Sequence, residues 1–416
     1  MESVAQGWSV VQQTPNDPVQ SAFLTELLNF ADFAPVLFLS LIAGVIADRV
    51  NRKVWLFFLQ SAACALGAGL AVVGYMGHLT PAIVIGFSFA EGIVWALTGP
   101  AWMTVFPSLV PRDELEIAMA ANSMQFNLAR LMGPMLAGIV IGTSSVNLAF
   151  AINAVTFVPV LFAVSQLPAH QPPPQKNKMG IMQDVTSGLR YVWRNRGTRR
   201  LAIMSSTFMF LSAPLQGLLA IFARQVLGGG STLYGLMLGM IGLGSVVGAI
   251  AIGRIPSFYP RHHLIPLAMC IFCAFAILYS FSNTPVLTLP ILFFCGVAWL
   301  FTLNPISTAN QLLATDENRG RVVSVMLLCN QGAMPLGHLC AGALTHVFTP
   351  QNVVRSMLGL CLAAAIYFLL KREPAIDNAS IKTVRSDSLM REIQEAITAQ
   401  SHWPASNAES TRTLPE

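Results

Sequence analysis

The chain has 416 residues, of which 54% are hydrophobic and 10% charged, with a formal net charge of +5 and a mean hydropathy of +0.61. Soluble domains carry about 25% charged residues, so the composition excludes an ordinary soluble fold. Apolar runs able to cross a hydrocarbon core of about 30 Å recur to residue 370. They are continuous rather than alternating, which excludes a membrane β-barrel and leaves a polytopic helical protein.

In chain order, "MESVAQGWSVVQ" comes first, apolar enough to be embedded but too short to cross. Twelve helical residues reach about 18 Å. A charged amino terminus at that depth is costly, so the expectation is a first helix that is incomplete at residue 1. Breaks at proline, glycine and charge clusters then place spans at 20–47, 53–77, 80–106, 117–142 and 146–167. After a central segment they resume at 201–226, 232–254, 263–282, 286–309, 321–347 and 352–370.

Between the first two full spans lies "GVIADRVNRK", residues 44–53, with Asp48, Arg49, Arg52 and Lys53. If this loop is cytoplasmic, alternation sends Arg112, the basic residues of the central segment, Arg254, Arg261, Arg319, Arg321, Lys371 and Arg372 to the same side. The other side receives Arg224 and Arg355, both near span ends. That asymmetry is the positive-inside pattern and puts the C-terminus in the cytoplasm.

Charges within spans cost about 2.5–3.5 kcal/mol on insertion scales, so each is a functional candidate. They are Glu26, Asp32, Glu91 and Arg130. Asp32 and Glu91 are the candidate proton carriers and Arg130 their modulator, because making or breaking a nearby charge pair shifts a buried carboxyl. Glu91 and Arg130 both fall near mid-span and can pair, whereas Glu26 is expected to reach the outer headgroups. A static ion pair that fixes helix packing is the competing reading.

"GPMLAG" follows, with Gly133, Pro134 and Gly138. Small residues there let helices approach, and the proline frees a carbonyl. The central segment contains a proline run and then Ile181, Val185, Leu189 and Val192 at helical spacing. It reads either as a helix on the anionic inner leaflet or as a solvated linker. In the second half Gln216, Asn304, Asn330 and Gln331 are candidates to line a substrate cavity, and His338 and His346 read as packed polar residues. The seven cysteines fall in apolar runs and read as small hydrophobes. The tail after Pro374 is polar, with one amphipathic stretch.

The chain repeats itself. Residues 107–138 and 310–337 occupy matching places; each has an Asp-Glu pair, Asp113–Glu114 and Asp316–Glu317, before a helix holding Pro134 or Pro335. Repeated halves mark transporters whose substrate site lies between them. None of the five lysines follows a glycine, so no Walker A loop exists; zincin, paired zinc-finger and nucleophile-elbow patterns are also absent. No enzyme, cofactor, metal or nucleic-acid partner is expected.

Gly44, Asp48, Arg49, Arg52 and Lys53 together resemble the signature loop between helices 2 and 3 of the major facilitator superfamily, with Asn51 where a glycine is usual. "LVPRDELEIAMAANSMQFNLARLMGPMLAG", "SGLRYVWRNRGTRRL" and "RGRVVSVMLLCNQGAMPLG" resemble the branch of enterobactin exporters and macrolide-efflux proteins. The likeness implies an all-α membrane fold of two six-helix bundles related by a pseudo-twofold, with helix 1 incomplete. It divides the chain into an N-terminal bundle (1–168), a central cytoplasmic loop (169–200), a C-terminal bundle (201–371) and a cytoplasmic tail (372–416). It also implies proton-coupled export of small siderophore- or drug-like molecules across the bacterial inner membrane, by a monomer in the lipid bilayer. Asp48 would then latch against Arg319 and Arg321 across the halves. An uptake symporter of the same fold, or a chain that no longer transports, are the alternatives.

Overall fold

The computed structural model describes residues 1–105, 109–111, 114–167, 181–254, 260–313, 319–371, 373 and 376. The amphipathic stretch of the tail, Asp113 and the Asp316–Glu317 pair lie outside them. So do the side chains of Gly44, Asp48, Arg49, Arg319 and Arg321.

Among the described residues there are helices and no strand. The first half runs α1 (Glu2–Gln13), α2 (Pro18–Arg49), α3 (Arg52–Tyr75), α4 (Pro81–Val105), α5 (Leu115–Thr143) and α6 (Val146–Ser165). A connecting helix α7 (Ile181–Arg194) follows. The second half runs α8 (Arg196–Gly217), a short α9 (Leu219–Ile221), a π-helical turn (Phe222–Val226), α10 (Ser231–Ile252), α11 (Arg261–Tyr279), α12 (Pro285–Leu313), α13 (Arg319–Leu344) and α14 (Pro350–Leu370).

Short polar signals set the helix starts. The Asp17 side chain accepts from the Gln20 amide at 2.9 Å while Pro18 opens α2. Asn195 accepts from the amides of Gly197 and Thr198 at the start of α8, and Thr349 with Pro350 opens α14. Asn51, the departure from the usual loop glycine, accepts from the Lys53 amide at 3.1 Å and so caps α3. The Arg200 guanidinium donates to the carbonyls of Phe368 (3.1 Å) and Lys371 (2.6 Å), a cation at the carbonyl end of α14.

The packing repeats about a pseudo-twofold. In the first half α2 packs on α4 and α3 on α6; in the second α10 packs on α12 and α11 on α14. The halves meet along two equivalent seams, α2 with α13 and α5 with α10. The second seam runs antiparallel: Leu131 meets Gly242, Met135 meets Gly239, Gly138 meets Gly235 and Gly142 meets Thr232. The first runs from the Phe23–His346 ring contact to Leu37 against Gly332.

Both seams therefore close over the half of the molecule remote from the basic loops. Toward the basic end α5 is largely exposed among the described residues: Ala121, Asn122, Met124, Gln125, Phe126 and Leu128 to Arg130.

The connecting helix α7 is partly spent on protein rather than on lipid or water. Val192 is buried with Ala202, Val322, Val325 and Met326, and the Tyr191 hydroxyl donates to the Leu313 carbonyl. Leu189 and Trp193 stay exposed.

Candidate functional site

The short α1 is the centre of the molecule. Val4, Ala5, Gln6, Trp8, Ser9, Val10 and Val11 are all buried, among α2, α4, α5, α6 and α9. Its polar residues at i and i+4, Glu2 and Gln6, fall on one face. The Gln6 amide donates to Glu91 Oε2 of α4 at 2.8 Å. The Glu2 carboxylate accepts from the Asn153 amide of α6. Glu91 lies within electrostatic reach of both Glu2 and Asp32. Gly92, next to Glu91, has room for a hydrogen only, because a Cβ there would strike the Asp32 carbonyl oxygen. That close approach sets the two acids of α2 and α4 at one level.

Three carboxyl groups thus share one space, supported by two amide donors. One oxygen each of Glu2 and Glu91 is buried without a hydrogen-bond partner. Like charges in a water-poor site oppose simultaneous ionisation, so such a cluster can load and unload a proton as its surroundings change.

The expected Glu91–Arg130 pair does not form. Glu91 turns to Gln6 instead, and Arg130 lies on the exposed stretch of α5 without an ion pair to it. Gly133, one turn further on, faces the amino-terminal end of α1. Pro134 and Gly138 belong to the α5–α10 seam: a Cβ on Gly138 would lie 2.8 Å from Gly235 Cα, and one on Gly235 would lie 2.6 Å from the Pro134 carbonyl oxygen.

Glu26 requires a larger correction. It does not reach outer headgroups; its side chain and that of His338 are both 0% exposed, with His338 Nδ1 2.5 Å from Glu26 Oε2. Hydropathy placed Glu26 by depth along α2 alone, but the seam with α13 covers it from the side.

The second-half polar candidates do not gather at one level. Ser206 bonds to the Cys329 carbonyl and Ala213 packs against Gly337, which fixes the register of α8 against α13. Gln216 then stands about 15 Å along the helices from Asn330 and Gln331. Asn330 Oδ1 is buried without a partner, and Asn304 Oδ1 accepts from Thr308 on its own helix at 3.3 Å. Glu2, Gln6, Asn153 and the Glu26–His338 contact were missed by sequence reasoning. The i, i+4 spacing of Glu2 and Gln6 was the available signal.

A family model described as transmembrane secretion effector matches residues 1–400. The chain belongs to the transmembrane secretion effector family of the major facilitator superfamily. Relatives of that superfamily include the staphyloferrin A transporter of Staphylococcus aureus, 23% identical over 83% of this chain and 87% of that protein. The multidrug efflux pump Tap of Mycobacterium tuberculosis is 28% identical, over 82% of each chain. The enterobactin exporter EntS of Citrobacter koseri is 25% identical, over 80% of each. The solved nucleoside transporter NupG shares the fold, with a TM-score of 0.66 at 14% identity over 89% of this chain and 98% of that one. A D-xylose–proton symporter superposes with a TM-score of 0.65 at 11% identity, covering 90% and 96%. The chain is accordingly a multi-pass membrane transporter and not an enzyme.

Proposed function

We propose that the chain exports small amphipathic molecules from a bacterial cytoplasm in exchange for protons, by alternating access between its two halves. With the basic loops and the tail on the cytoplasmic side, the two seams between the halves close the outer side. The observation that carries this reading is the carboxyl cluster of Glu2, Asp32 and Glu91 enclosed within the first half, with Asp32 in electrostatic reach of His338 of the second half. Protons and substrate compete for that space, and each favours a different tilt. Arg130, on the open face of α5, supplies the positive charge that the acids meet when the tilt changes. Asn330 and Gln331, with Gln216 and Asn304 at other depths, offer hydrogen bonds along the substrate's path. The relatives named as siderophore and drug transporters support an amphipathic cargo.

Inside-out vesicles from an efflux-deficient bacterial host test it. With an acidic lumen, vesicles carrying the chain accumulate one or more members of a panel of siderophore-like and cationic drug-like compounds. Glu91→Gln reduces that accumulation to the level of empty vesicles while the protein inserts normally. Full proton coupling in Glu91→Gln, or cargo leaving the lumen together with protons, overturns the proposal.

A further inference from the structure

Outside the central cluster, one buried titratable pair joins the two halves. Glu26 of α2 and His338 of α13 are completely enclosed and 2.5 Å apart. The second nitrogen of the imidazole, Nε2, and the second carboxyl oxygen, Oε1, have no partner. The enclosure is built for them. A Cβ on Gly217 of α8 would strike the Glu26 carboxyl group, and one on Gly342 of α13 would lie 3.1 Å from Glu26 Cβ. Phe33 stacks on the imidazole. The charged or titratable groups nearby are few among the described residues. Asp32, on α2 itself, is within electrostatic reach of His338, with Glu2 of α1 and Glu91 of α4 behind it. His346 of α13 sits against Phe23 further out. The adjoining ends of α8 and α9 contribute none.

We infer that Glu26 and His338 form a proton-operated latch, in which uptake of one proton from the outer side closes the seam between α2 and α13. In the closed arrangement the pair carries one proton more than a carboxylate beside a neutral imidazole, because that pairing would leave an uncompensated negative charge in the enclosure and a doubly protonated pair an uncompensated positive one. When the halves part, each partner leaves with its own bundle and meets water. A hydrated carboxyl is ionised and a hydrated imidazole mostly neutral at pH 7–8. Opening therefore releases one proton to the outer solution and closing takes one up. The proton balance is complete without any further reactant. Asp32 stands next in line toward the central cluster, so a proton captured on closing has a route to the cavity. The inference rests on the proposed orientation for the words outer and inner, but not for the linkage between closure and proton uptake.

The linkage is measured without any cargo. Spin labels are carried on genetically encoded reactive residues at Val19 and Val347, exposed positions near the closed end of α2 and just beyond α13. They report the seam as closed or open in the full chain in lipid nanodiscs. Between pH 7 and 9 the open-to-closed ratio rises by up to about tenfold per pH unit, the slope of a one-proton linkage. Glu26→Gln flattens the profile, and the exchanged pair Glu26→His with His338→Glu restores it. A flat profile in the unsubstituted chain overturns the latch, as does an unchanged slope in Glu26→Gln. If Glu26→Gln does not fold, the exchanged pair decides: a retained slope supports the latch and a flat one overturns it. Because no substrate enters the measurement, a failure here leaves proton-driven export standing, and a failure of export leaves the latch standing.

Discussion

Gly138 shows how much a single hydrogen atom decides in this molecule. Its Cα packs so closely on α10 that a side chain would lie 2.7 Å from the Ser231 carbonyl oxygen and 2.8 Å from Gly235 Cα, both backbone atoms that cannot swing away. Overpacking of this kind costs about 1–3 kcal/mol. Since 1.4 kcal/mol is about a factor of ten, Gly138→Val is expected to cut substrate transport about tenfold or more at unchanged expression. Gly86→Ala, with nothing within 4 Å of the added carbon, is expected to transport normally in the same vesicle assay. Residue-scale reading of the sequence singled out Asp32 and Glu91 because an acid in a lipid-spanning helix is costly, and Gly138 because small residues let helices approach. It misplaced Glu26 because depth along one helix says nothing about which neighbour lies beside it. It proposed Arg130 as a partner for Glu91 by matching depths, and missed Gln6, an uncharged residue on the short first helix.

At the scale of elements, the loop before α3 carries two separable effects. Asn51 holds the first turn of α3, accepting from the Lys53 amide. Asn51→Ala is expected to lower stability by about 1 kcal/mol, and Asn51→Gly by only a few tenths, read as the shift in thermal unfolding in detergent. Asp48, at the carbonyl end of α2, sits where a negative charge is unfavourable unless a cation answers it. Topology needs the neighbouring Arg49, Arg52 and Lys53 but not the acid. Asp48→Asn is therefore expected to insert at normal levels and to lose most transport; unchanged transport would remove the latch role proposed for it with Arg319 and Arg321. The lipid-crossing helices and their order were legible, since such a segment has to be helical and apolar for its whole length, whereas α7 was left open between helix and linker and the break of 201–226 into α8, α9 and a π-helical turn was not read. The level at which α8 meets α13 was not, because Ser206 on Cys329 and Ala213 on Gly337 are pairings between segments more than a hundred residues apart. Gln216 and Asn330 looked like one cavity in the sequence for that reason.

For the molecule as a whole, the two seams make a mechanical claim: the halves must separate at the closed end for cargo to leave there. Gly142 of α5 and Thr232 of α10 offer a way to forbid it. A Cβ on Gly142 would stand 3.7 Å from Thr232 Cβ, within the usual disulfide spacing of about 3.5–4.5 Å. The double variant Gly142→Cys with Thr232→Cys is expected to stop transport on oxidation and to regain it on reduction, at unchanged protein level. Transport that continues in the cross-linked form would mean the halves do not part along this seam. The pseudo-twofold itself was visible in the sequence as paired Asp-Glu and proline positions, but which end of the seams is shut depends on contacts between halves that no local pattern records.

One consequence concerns the buried first helix. On one flank it is moored by Gln6 to Glu91 and by Glu2 to Asn153; on the other it touches the second half through the stacked rings of Trp8 and Tyr234 and the bond from Arg224 to the Val11 carbonyl. A rod packed along most of its length in one jaw and joined to the other by one ring pair and one hydrogen bond is dragged along when the jaws swing, and those few contacts shear first. The indole of Trp8 is thus a built-in strain gauge, placed where the two jaws slide past each other.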